Sequence, residues 1–110
     1  MDIQIADHKR VSVITVSGRI DGSTAGEFEA ALTGVTEAGN YNIVLDMSDV
    51  DFVSSAGLRV LVNTRKAVNS AGGKILLAEP SQQVVETLDI AGLDVLFEQF
   101  DDRETAVGTF

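Results

Sequence analysis

The 110-residue chain has no cysteine, which removes disulfides, thiolate metal ligation, a cysteine nucleophile and thiol redox switching in one step. It has no tryptophan, one proline and no low-complexity tract, so neither a Pro-rich linker nor a disordered tail is expected. No apolar stretch approaches the ~20 residues needed to span a bilayer, and Met1 to Arg10 is mixed polar and charged, unlike a secretory leader. A cytoplasmic location is therefore expected, in agreement with the missing cysteines. Basic residues are scarce: eight Lys and Arg face seventeen Asp and Glu, for a formal charge of −9. That balance opposes sequence-independent binding to nucleic acid or anionic lipid and favours a protein partner with a basic surface.

Hydrophobic residues make up 45% of the chain and charged residues 23%, which suits one globular domain over residues 1–110 that buries roughly 60 to 70% of its unfolded surface. The β-branched run Val11 to Ser17 reads as a strand closed by Gly18, with Ile3 to Ile5 pairing against it across a turn at Asp7 to Lys9. Gly18 to Gly22 reads as a loop. Ser23 or Thr24 then caps a helix whose apolar positions are Ala25, Phe28, Ala31, Leu32, Val35 and Ala38. Tyr41 to Asp46 contains the apolar run of a buried strand, followed by an acidic loop from Asp46 to Asp51. A second helix is expected from about Ser55 to Ala71, stopped by Gly72 and Gly73, with Leu58, Leu61, Val62, Arg65 and Val68 on or beside one face. Lys74 to Ala78 reads as a strand, Pro80-Ser81 opens a helix through Ala91, Val95 to Phe97 fits a short strand, and Arg103 to Val107 a final helical turn. The alternation predicts an α/β fold: a mixed central sheet of four to five strands with about four helices packed on it.

Charge is unevenly distributed. From Phe52 to Ala78 there is no acid, only Arg59, Arg65, Lys66 and Lys74, so this stretch carries +4 and the remainder −13. A solvated helix face and a recognition surface account for that island equally well.

Material for catalysis is thin. The single histidine, His8, sits beside Lys9 and Arg10 at a turn, where a solvated side chain is the expectation. Gly-x-Ser-x-Gly, Gly-x-Gly-x-x-Gly and a P-loop are absent. Asp46, Asp49 and Asp51 lack the glycine and distal glutamate of a calcium loop and read as loop acids, so neither a metal nor a cofactor is expected. A metal-dependent enzyme built on these three acids is the formal alternative.

The segment Asp51-Phe-Val-Ser-Ser-Ala-Gly-Leu-Arg59 places two hydroxyls at the start of a helix. Either serine can cap it by accepting a hydrogen bond from an orphan backbone N–H. The same geometry suits a phosphate, which the N-terminal end of the helix dipole stabilises, and Arg59 lies one turn beyond Ser55.

Three stretches carry a family resemblance: Gly18-Arg-Ile-Asp21; Leu45-Asp-Met-Ser-Asp-Val-Asp-Phe-Val-Ser-Ser-Ala-Gly-Leu-Arg-Val-Leu61; and Ala78-Glu-Pro with Val84, Leu88, Ala91-Gly-Leu93 and Phe97. With these the chain resembles, over nearly its whole length, the STAS-domain anti-sigma factor antagonists of bacterial partner-switching systems. The resemblance implies a module that is not an enzyme. Unphosphorylated, it would bind an anti-sigma factor that is also a serine kinase, so that a sigma factor is freed; phosphorylation would abolish binding, and a PP2C-type phosphatase would reverse the modification. It places the phosphoacceptor at Ser55 and partner contacts at Asp21, Val53, Ser54, Ser55, Gly57, Leu58 and Arg59. The family often has Asp before the acceptor and Ser after it, where this chain has Ser54 and Ala56, which leaves two adjacent candidate hydroxyls. The alternative within the fold is an unphosphorylated STAS interaction module of a non-sigma signalling or lipid-transport assembly. An acidic surface favours a monomer, with a dimer through the amino-terminal edge strand as the other option.

Overall fold

The computed structural model describes residues 1–110. Five strands form one sheet in the order β1 (Asp2–His8), β2 (Val11–Ile20), β3 (Asn42–Val53), β4 (Lys74–Ala78), β5 (Gln99–Phe100). β1 is antiparallel to β2 and the other pairs are parallel. Each parallel neighbour is reached through a helix: α1 (Ala25–Glu37), α2 (Ser55–Ser70) and α3 (Gln82–Ile90), with a 3-10 turn (Asp94–Leu96) before β5 and α4 (Arg103–Gly108) last.

Successive strand side chains point to opposite faces, and the core divides accordingly. Ile14, Val16, Ile43, Leu45, Ile75 and Leu77 face the buried stripes of the first three helices, Phe28, Leu32 and Val35 of α1, Val60, Leu61 and Val68 of α2, Val84 and Leu88 of α3. Like-handed crossovers between adjacent parallel strands put all three helices on that one side. Val11, Val13, Val44 and Ala78 face the other way and pack with Ala106 of the short α4, with Val107 and Phe100 partly buried beside them. There Arg103 reaches under the helix to Asp46 (Nη2 to Oδ2, 2.6 Å) and to the Thr15 hydroxyl (2.8 Å), tying α4 to the sheet.

Several boundaries differ from the sequence reading. The first hairpin turns at Lys9–Arg10, with Lys9 at φ 57°, and not across Asp7 to Lys9. β2 continues through Gly18, Arg19 and Ile20, which pair with Val50, Phe52 and Val53, so the expected Gly18–Gly22 loop shrinks to its last residues. The acidic stretch Asp46–Asp51 is likewise strand, because the long β2 supplies partners where β4 has ended. Two register shifts against β2 bring Met47, Val50 and Val53 inward at a spacing of three. Val95 to Phe97 is not a strand: the 3-10 turn occupies it, and the fifth strand follows at Gln99–Phe100. Asp46 is no loop acid; its side chain is 6% exposed.

Candidate functional site

The carboxyl ends of β2 and β3 lie side by side, and α1 and α2 begin there, which is the edge of a parallel sheet where sites gather. Ile20 pairs with Val53, and the next backbone step is held by a 2.7 Å hydrogen bond from the Ser54 N–H to the Ile20 carbonyl. The loop that starts at Asp21 is thereby clipped against the start of α2.

The two adjacent serines have different positions. Ser54 is the N-cap: its backbone is extended and its hydroxyl accepts from the Gly57 N–H at 3.3 Å. Ser55 is the first helical residue, exposed, and its hydroxyl is in none of the chain's side-chain hydrogen bonds. The first turn of α2 contains no acid of its own, and the positive end of a helix dipole favours added negative charge there. Arg59 is exposed and forms no ion pair with an acid of the chain.

Gly57 and Val53 are placed under the surface and not on it, which corrects their expected presentation to a partner. Val53 is 5% exposed. A Cβ on Gly57 would stand 2.7 Å from Cγ2 of Ile20 and 3.0 Å from Cγ1 of Val53, so glycine allows the helix to approach the strand ends closely. Leu58 is half-buried against the core. Of the seven expected contact residues, Asp21, Ser54, Ser55 and Arg59 reach the surface with part of Leu58; Val53 and Gly57 build the platform.

Asp21 organises its own loop. Its carboxylate accepts from the hydroxyl and N–H of Ser23 (2.7 and 2.9 Å), and these bonds, with help from Thr24 and Arg19, hold its pKa below the ordinary value. Thr24 stands at the N-cap of α1 without capping it; its hydroxyl accepts from the Asp21 N–H and donates to the Arg19 carbonyl. Neither Ser23 nor Thr24 acts as the expected side-chain cap.

Sequence reasoning missed one pair. Arg19 and Phe52 are neighbours across β2 and β3, and the guanidinium lies 4.3 Å from the ring centroid. Phe52 is 39% exposed, so the pair is a surface feature beside Asp21. Its signal was the parallel register, which no local pattern encodes. The acids Asp46, Asp49 and Asp51 do not converge with other ligating side chains on a metal position. The basic island also divides: Arg65 turns inward to donate to the Leu96 carbonyl at 2.8 Å, while Arg59 and Lys66 stay exposed.

The α/β module thus presents an exposed helix-start serine at the carboxyl ends of β2 and β3, and the clefts of the molecule are lined by other residues. The STAS domain model matches residues 2–106, and the chain belongs to that family. It is 30% identical over 105 residues to the anti-sigma-F factor antagonist RsfB of Mycobacterium tuberculosis, covering 96% of this chain and 85% of that one. The crystal structure of an anti-sigma factor antagonist from Mycobacterium paratuberculosis matches with a TM-score of 0.88 at 29% identity, over 98% of this chain and 92% of that one. The Bacillus cell fate determinant SpoIIAA in its phosphorylated form shares the fold, with a TM-score of 0.78 at 17% identity over 98% of each chain. No helix is long and apolar enough to cross a membrane.

Proposed function

We propose that this protein is an anti-sigma factor antagonist controlled by phosphorylation of Ser55. Unphosphorylated, it binds an anti-sigma factor with serine-kinase activity and frees the sigma factor; the kinase transfers a phosphoryl group from ATP to Ser55, binding is lost, and a PP2C-type phosphatase hydrolyses the phosphoserine. The role is one of regulated binding, not catalysis. The observation that carries the reading is the division of labour at the helix start: Ser54 is occupied as the cap, whereas the Ser55 hydroxyl is exposed and free. The names of RsfB and the mycobacterial structural relative support the antagonist role, and a relative of this fold solved in a phosphorylated form supports the modification.

The geometry suits a switch that acts at the interface and leaves the fold intact. A phosphoryl group brings about −1.5 to −2 charges to a helix end that favours negative charge, with Arg59 one turn away. The domain keeps its structure, while a partner surface that covers Ser55 and was complementary to a neutral hydroxyl would have to desolvate the added anion. A penalty of about 3 kcal/mol weakens binding roughly 150-fold.

Incubation with the candidate kinase and ATP, followed by mass mapping and a native-gel binding test, checks the reading. Phosphate on Ser55 with loss of the complex is expected, and Ser55→Asp binds weakly. Phosphate on Ser54 alone, or wild-type affinity for both Ser55→Asp and Ser55→Ala, overturns the assignment.

A further inference from the structure

The two most exposed large hydrophobic side chains lie far from Ser55: Ile90 at 88% and Val95 at 83%, on either side of the turn at Gly92 that ends α3. Leu93 between them and Leu96 after them are half-buried against the core, so apolar surface continues inward from the two exposed residues. Single exposed hydrophobics are ordinary; two within five residues, continuous with half-buried leucines, are not. From Glu79 to Asp102 the chain has seven acids and no Lys, Arg or His, and Glu86, Asp89, Asp94 and Glu98 flank the apolar group in sequence. One flank is basic, where Arg65 and Lys74 line a small cleft with Leu96 and Glu98, and Arg65 is held there by the Leu96 carbonyl.

That hydrogen bond also measures the separation from the serine. Arg65 is ten residues along α2 from Ser55, about 15 Å at ~1.5 Å per residue. Charges so far apart across solvent are largely screened at physiological salt, where the Debye length is about 8 Å.

We propose that Ile90 and Val95, with their acidic surround, form a second docking surface for a basic amphipathic helix of a protein partner, open whether or not Ser55 carries phosphate. The occupant follows from charge. A second copy in symmetric contact would bring the same acids against themselves, and an anionic lipid surface would be repelled, whereas a helix with a leucine face and a lysine face meets both the apolar centre and the acidic rim.

Amide NMR titration of the isotope-labelled chain tests this with a synthetic helix bearing leucines on one face and lysines on the other, beside a control peptide of equal charge with serine for leucine. Shift changes confined to residues 86–98 are expected, with affinity reduced about tenfold by Ile90→Ser combined with Val95→Ser, similarly reduced for the control peptide, and unchanged by Ser55→Asp. Both substituted residues are solvent-exposed, so the variant should keep the wild-type amide pattern elsewhere. Wild-type affinity in the double variant, shift changes spread over Asp2, Asp49 and Asp51, or a self-association that the double variant abolishes would each overturn the proposal.

Discussion

Arg19 lies over the ring of Phe52, 4.3 Å from its centroid, and contacts Asp21 at 3.7 Å. The Arg19 side chain is 60% exposed, so neither interaction is a large source of stability. On an exposed rim next to Asp21 the pair is better placed for recognition. Phe52→Ala and Arg19→Ala are expected to leave the melting temperature within about 3 °C of wild type while weakening the kinase complex at least fivefold, read by calorimetry of unfolding and of binding.

Gly57→Ala has the opposite profile at the level of the fold. The added methyl meets Ile20 and Val53, both packed, so α2 must shift or the strand ends must give. Overpacking of this kind costs about 1–3 kcal/mol, or a fall of several degrees in melting temperature. The displaced helix start should also slow phosphorylation of Ser55, measured as initial rate with the kinase saturated in ATP.

The two serines separate in stability as well as chemistry. Ser54→Ala removes a cap worth about 1 kcal/mol and lowers the urea midpoint, yet retains phosphorylation. Ser55→Ala is close to neutral in the same unfolding experiment and accepts no phosphate.

Asp46 and Arg103 supply the pH dependence. Burial acts to raise the Asp46 pKa, but the N–H and hydroxyl of Ser48 and the Arg103 guanidinium outweigh it and hold the carboxyl below its ordinary value. A carboxyl with a depressed folded-state pKa stabilises the fold above its unfolded value, about 3.9, and that contribution is lost as pH falls through the folded value. Urea midpoints should therefore drop below about pH 4, and Asp46→Asn should flatten this acid limb. At neutral pH, Arg103→Met leaves a buried carboxylate without its cation and costs about 1–3 kcal/mol, reduced from a fully buried pair because Arg103 is 42% exposed.

What the chain order disclosed was whatever rests on local periodicity. The stripe Phe28, Leu32, Val35, the stop at Gly72-Gly73 and the opening of a helix at Pro80-Ser81 are each visible within one helix and agree with the structure, which adds that Ser81 is the cap. The acidic end of β3 was unreadable because two bulges replace alternation by a spacing of three, and because its pairing partner lies some thirty residues earlier. The fifth strand is only two residues long, held by Leu77 and Glu79 bonding across to Glu98 and Phe100, too short to leave a pattern. At the site, the helix start and its two serines were legible, but which serine caps was decided by backbone geometry, and Arg19 over Phe52 by register.

The clip between the Ser54 N–H and the Ile20 carbonyl has an evolutionary corollary. Side chains around the rim can be exchanged freely to suit new partners, whereas inserting or deleting a residue in the last stretch of β3 would slide the serine past the loop beside it. Divergence at this end of the molecule should proceed by replacement at constant length.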